Sequence, residues 1–130
     1  MKCLIDTHII LWLAENSPRL SEEVKAIILD EANEKYVSVA SCWEVTIKIS
    51  LKKLFIFGGI NEFYNILREN DFGLLDIQER YLNVLESLPF YHRDPFDRLL
   101  IATAIADDLV LITDDSDMSV YKSESLIIMP

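Results

Sequence analysis

Strand-like runs of four or five residues recur along the chain at Lys2–Ile5, Tyr36–Val39, Leu74–Ile77, Leu109–Thr113 and Leu126–Met129, with helical patterns between them. A strand that is apolar on both faces must be covered on both faces. A connection long enough to hold a helix brings the chain back to start the next strand in the same direction. The expected architecture is therefore α/β: three α/β/α layers around a five-stranded parallel sheet with right-handed crossovers, in a single domain over residues 1–130.

The helices have their own signals. Ile9, Ile10, Leu11 and Leu13 predict one directly after the first strand, and Pro18 breaks the chain after it. Ser21 is placed to cap a second, whose Val24, Ile27 and Ile28 fall at helical spacing. Ser41-Cys42-Trp43-Glu44 matches the S-x-x-E capping box and predicts a third, through Val45, Ile47 and Leu51. Gly58-Gly59 marks a turn before the Phe63, Ile66, Leu67 stripe, and Tyr81, Leu82, Leu85 and Leu88 form another stripe. The run D-P-F-D-R at Asp94–Arg98 opens a strongly apolar helix, with Asp94 as cap and Pro95 in its first position.

Composition narrows the function classes. Hydrophobic residues make up 51% of the chain, enough for a substantial core. Its longest apolar stretches are broken by Asp6, His8 and Glu15 or by Asp107 and Asp108, short of the roughly 18–20 residues that span a bilayer. With no secretory pattern at the start, a soluble cytoplasmic protein without a membrane partner is expected. Cys3 and Cys42 lie in apolar stretches and read as small buried hydrophobes. A net charge of -10 argues against a protein that coats nucleic acid non-specifically. It leaves a nuclease open, because a carboxylate metal site adds negative charge that cations offset.

The acids follow a pattern. Asp6 ends the first strand, and Glu44 lies in the first turn of the helix after the second. Asp97 lies in the first turn of the helix before the fourth strand, and Asp114, Asp115 and Asp117 follow that strand. In an open parallel sheet these positions gather at the carboxyl edge, where ligands bind near the switch in strand order. If strands one and four are neighbours, Asp6 and Asp115 face each other there. Each acid alone has an ordinary explanation as a cap, a dipole partner or a turn residue. Their convergence does not, since clustered carboxylates repel unless a cation lies among them. An all-oxygen donor set suits Mg²⁺ or Mn²⁺, which activates water and polarises a phosphoryl oxygen.

With these residues in view, the sequence resembles PIN-domain proteins, specifically VapC-type ribonuclease toxins of toxin–antitoxin pairs. The resemblance is carried by LIDTHIILWLA (Leu4–Ala14), SVASCWEVTIKISLKKL (Ser38–Leu54) and HRDPFDRLLIATAIADDLVLITDDSD (His92–Asp117). It implies catalytic and metal-binding roles for Asp6, Glu44, Asp97 and Asp115, with Thr113 orienting the site and Asp117 as an outer acid. It implies Mg²⁺- or Mn²⁺-dependent endonucleolytic cleavage of RNA, often tRNA or ribosomal RNA, a cognate antitoxin and a homodimer. Asp114 departs from the pattern, standing where similar sequences often carry a basic residue. Lys48, Lys52 and Lys53, with Arg93 and Arg98, are the candidate RNA contacts.

Two other readings fit an acidic α/β site. One is phosphoryl transfer on an aspartate, although the acid two residues after Asp6 and the lysine that such enzymes use are missing. The other is a non-catalytic binding module of the same fold. His8 and His92 read as structural, and Trp12, Trp43 and Phe96 as packing residues.

Overall fold

The computed structural model describes residues 1–124; the expected strand at Leu126–Met129 lies outside them. Among the described residues the sheet has four parallel strands: β1 (Lys2–Ile5), β2 (Glu34–Ser38), β3 (Gly73–Leu75) and β4 (Val110–Ile112), in the order β3-β2-β1-β4. The chain runs outward from β1 to β3, then crosses back to lay β4 on the other side of β1. That reversal puts the switch point between β1 and β4, where Cys3, Leu4 and Ile5 pair with Val110, Leu111 and Ile112.

The helices are α1 (Thr7–Ala14), α2 (Glu22–Leu29), α3 (Val39–Ser50), α4 (Ile60–Glu69), α5 (Glu79–Ser87) and α6 (Pro95–Asp107), followed by a 3-10 helix over Ser116–Glu124. Alternation along β1 sorts them into layers. Cys3 and Ile5 pack with Ile9, Val24, Val45 and Phe63 of α1–α4. Leu4, pointing the other way, packs with Leu100, Ile101, Met118 and Tyr121 of α6 and the 3-10 helix. Both faces of β1 are fully buried, as a strand apolar on both sides requires.

Local chemistry sets the boundaries. The Ser21 hydroxyl accepts the Val24 N–H at 3.2 Å and starts α2. At α3 the capping-box expectation fails. The cap is Ser38, whose hydroxyl accepts the Ala40 N–H at 3.1 Å, so β2 passes into the helix without a loop and Val39 is helical. Ser41 lies inside the helix, buried. Asp94 caps α6, its Oδ1 accepting from the N–H of Phe96 (2.9 Å) and of Asp97 (3.0 Å), with Pro95 next to it. Gly73 is required by contact, because a Cβ there would sit 2.9 Å from Tyr36 Cδ1. Among the described residues no helix is long and apolar enough to cross a membrane.

Candidate metal centre

The carboxyl edge between β1 and β4 carries the acids. Asp6 leaves β1 with its backbone N–H bonded to the Ile112 carbonyl at 3.0 Å, so the ladder fixes its position. It is the N-cap residue of α1, yet its carboxylate makes no capping bond. Oδ2 instead accepts the Thr113 hydroxyl at 2.7 Å, across 107 residues of sequence. Thr113 Oγ1 in turn accepts the Asp115 N–H at 3.1 Å, so one buried hydroxyl orders the acids that follow the paired strands β1 and β4.

Asp97 sits at the third position of α6, which the Asp94 cap aims at this edge. Its Oδ2 is 3.2 Å from His92 Nε2, and Asp115 Oδ2 is also 3.2 Å from that atom. The Asp94 N–H donates to His92 Nδ1 at 3.1 Å, which places the neutral ring's proton on Nε2, facing both carboxylates. Asp115 Oδ1 accepts the Asp117 N–H at 2.9 Å. Glu44, one turn into α3, pairs with Lys48 at 3.3 Å.

The electrostatics tie the acids together. Burial first, then the nearby charges of Asp94, Asp6 and Asp115, push the Asp97 carboxyl up to about 7, against a smaller lowering by His92. Asp6, 3% exposed, is raised mainly by burial, with Glu44 adding repulsion and the Thr113 hydroxyl opposing both. Asp6 thus feels Glu44, and Asp97 feels Asp6 and Asp115. This is an electron-rich oxygen site with an unmet charge balance.

The donor set fits a hard divalent cation. It is all carboxylate, it is partly dehydrated, and its acids destabilise one another in the absence of a positive charge. The Thr7 and Ser41 hydroxyls, next to Asp6 and one turn before Glu44, are buried and have no hydrogen-bond partner among the described residues. Among the described residues, the group that brings one ligand-type atom each within 4.8 Å of one another is His92, Asp115 and Asp117, which shares only Asp115 with the four acids expected from the sequence.

The remaining sequence candidates divide. Lys52, Lys53 and Arg93 are exposed, and Lys48 is held by Glu44. Arg98, expected as an exposed RNA contact, is instead turned into the protein. It is 5% exposed, and its guanidinium is bonded to the carbonyls of Leu88, Pro89 and His92. His8 is exposed, whereas His92 is not the purely structural residue expected, since it lies between two of the acids. Trp43 is 60% exposed and meets Phe96 edge-on at 5.3 Å, leaving much of its surface outside the core. The usable signal for Arg98 was an arginine set in the otherwise apolar run Leu99–Ala102.

The fold matches known proteins. The chain superposes on the Rickettsia felis VapBC2 structure, solved bound to a promoter DNA fragment, with TM-score 0.76 and 17% identity over 99% of this chain and 98% of that one. VapBC-1 from nontypeable Haemophilus influenzae gives TM-score 0.69 at 17% identity, covering 99% and 97%. FitAcB from Neisseria gonorrhoeae gives 0.66 at 20% identity, covering 100% and 97%. No curated protein sequence matches the chain. The PIN domain pattern matches residues 3–123, and the chain belongs to the PIN-domain family.

Proposed function

We propose that the chain is a VapC-type toxin, an Mg²⁺- or Mn²⁺-dependent endoribonuclease that cleaves RNA phosphodiester bonds, with tRNA or ribosomal RNA as the substrate class. The observation that carries this reading is the geometry of the β1–β4 edge, where the Thr113 hydroxyl bonds both Asp6 Oδ2 (2.7 Å) and the Asp115 N–H (3.1 Å), and Asp97 and Asp115 both lie 3.2 Å from His92 Nε2. Asp6, Glu44, Asp97 and Asp115 would hold the cation. When bound, it supplies Lewis acidity toward the phosphodiester and activates water. Thr113 orients Asp6 and Asp115, and Asp117 is an outer acid. Lys52 and Arg93, with Lys53, offer exposed charge for the RNA backbone.

The solved relatives are toxin–antitoxin complexes, which supports a cognate antitoxin as partner. A groove of about 690 Å³ between α1, α4 and the segment before α4 is lined by Leu11, Leu54, Phe55, Phe57 and Ile66. Phe55 and Phe57 are 84% and 87% exposed, so an apolar partner segment gains most there. A homodimer accords with the family resemblance. Phosphoryl transfer on Asp6 is disfavoured by its burial, and a non-catalytic role by the presence of all four acids.

The test is incubation of the purified, antitoxin-free chain with end-labelled small RNA in Mn²⁺, in EDTA, and in Mn²⁺ with Asp97→Asn. Discrete cuts in the first tube alone are expected. Cuts that persist in EDTA or in the variant would refute the assignment.

A further inference from the structure

The loop Leu88–His92 is held by two buried side chains from elsewhere in the chain. Arg98, on α6, donates through Nη2 to the Leu88 carbonyl at 3.2 Å and through Nη1 to those of Pro89 (2.9 Å) and His92 (3.4 Å). Its guanidinium also lies 3.8 Å from the Phe90 ring centre. The Tyr121 hydroxyl, from the 3-10 helix, donates to the Pro89 carbonyl at 2.6 Å and accepts the N–H of Tyr91 (3.1 Å) and His92 (3.0 Å). Burying a guanidinium is unfavourable unless its donors are matched, and here they are matched by the carbonyls of one short loop. The product of this arrangement is the placement of His92, whose Nδ1 is fixed by the Asp94 N–H and whose Nε2 reaches Asp97 and Asp115 equally at 3.2 Å.

We propose that His92 is a positioning residue, a fixed N–H donor that sets the Asp97 and Asp115 carboxylates relative to each other for a divalent cation, held in place by an Arg98–Tyr121 staple. The inference rests on the metal-dependent reading above. The Nε2 atom is hydrogen-bonded to Asp115 Oδ2, and Asp97 Oδ2 lies at the same 3.2 Å as a close polar contact, so the ring stands against both carboxylates and leaves their other lone pairs free. Without it the two like charges turn away from each other, and ordering them has to be supplied when the cation binds.

The test is calorimetric titration of the purified chain with Mn²⁺, without RNA, for the parent, His92→Ala, His92→Gln and Tyr121→Phe, each first melted in EDTA to establish that it is folded. His92→Ala is expected to weaken Mn²⁺ binding by about 10-fold or more, the scale of lost outer-shell partners. His92→Gln, which restores an N–H donor, is expected to recover most of the loss. Tyr121→Phe keeps His92 but loosens its loop, and its affinity is expected to fall between. If Tyr121→Phe does not fold, the two His92 variants decide alone. Parent-like or tighter binding by His92→Ala would overturn the proposal while leaving the metal site standing. A parent chain that binds no Mn²⁺ would sink the metal reading and the positioning role together.

Discussion

Replacing Asp97 by asparagine is expected to stabilise the metal-free protein while abolishing its activity. Burial and the charges of Asp94, Asp6 and Asp115 raise the Asp97 carboxyl from 3.8 to about 7. The fold therefore prefers the protonated form. The stability this acid contributes is complete below its unfolded pKa and is lost as pH rises through the folded value. A shift of roughly three units has a ceiling of about 4 kcal/mol. The side chain is 19% exposed, and solvent screening is taken to leave about 1–2 kcal/mol of that. For a domain of this size that is about 4–8 °C in Tm. Asparagine reproduces the size and neutrality of the protonated carboxyl. Scanning calorimetry in EDTA should thus show Asp97→Asn melting above the parent at pH 8, with the gain vanishing toward pH 4. Added Mn²⁺ should raise the Tm of the parent and not of the variant. A variant less stable than the parent at pH 8 in EDTA would refute the reasoning, because the charge would then be supporting the fold.

Thr113→Val removes the hydroxyl shared by Asp6 and the Asp115 N–H, and is expected to cost about 1–3 kcal/mol and to weaken Mn²⁺ binding, read by melting and by titration. Gly73→Ala forces a Cβ against Tyr36 and should cost about 1–3 kcal/mol in denaturant unfolding, with Mn²⁺ affinity unchanged because β3 is remote from the acids. Phe57→Ser should leave RNA cleavage intact and weaken capture of the co-expressed antitoxin, measured by pull-down against the parent.

What could be read from the sequence follows from how local each signal is. Cys3, Leu4 and Ile5 announce a strand buried on both sides, and Asp94-Pro95 announces a helix start, because both depend on neighbours in the chain. The sequence extends the second strand to Val39, but the Ser38 cap ends it one residue earlier. Ser41 matched a capping box by composition, and nothing local reveals that β2 enters α3 without a loop. Asp6 and Asp97 are legible because each sits at an element end, whereas Glu44 lies deeper in α3 than a Ser41 cap implies. The linkage of Asp6 to Thr113 is not legible, since that bond spans 107 residues. The contacts of His92 and Arg98 are hidden from local sequence for the same reason. Their roles depend on a loop folded back under Tyr121, up to 32 residues away.

The Asp6–Thr113 bond has a consequence for how such a site can change. Both residues leave adjacent, hydrogen-bonded strands, so their separation is governed by the sheet's own spacing, which side-chain substitution hardly alters. Glu44 and Asp97 stand instead on helices, Glu44 at the sixth residue of α3 and Asp97 in the first turn of α6, whose distance from the sheet depends on packing beneath them. The centre thus has one half with invariant dimensions and one half with adjustable dimensions. Core substitutions under the two helices can alter how far Glu44 and Asp97 stand from the sheet, while the β1–β4 half stays as the fixed reference.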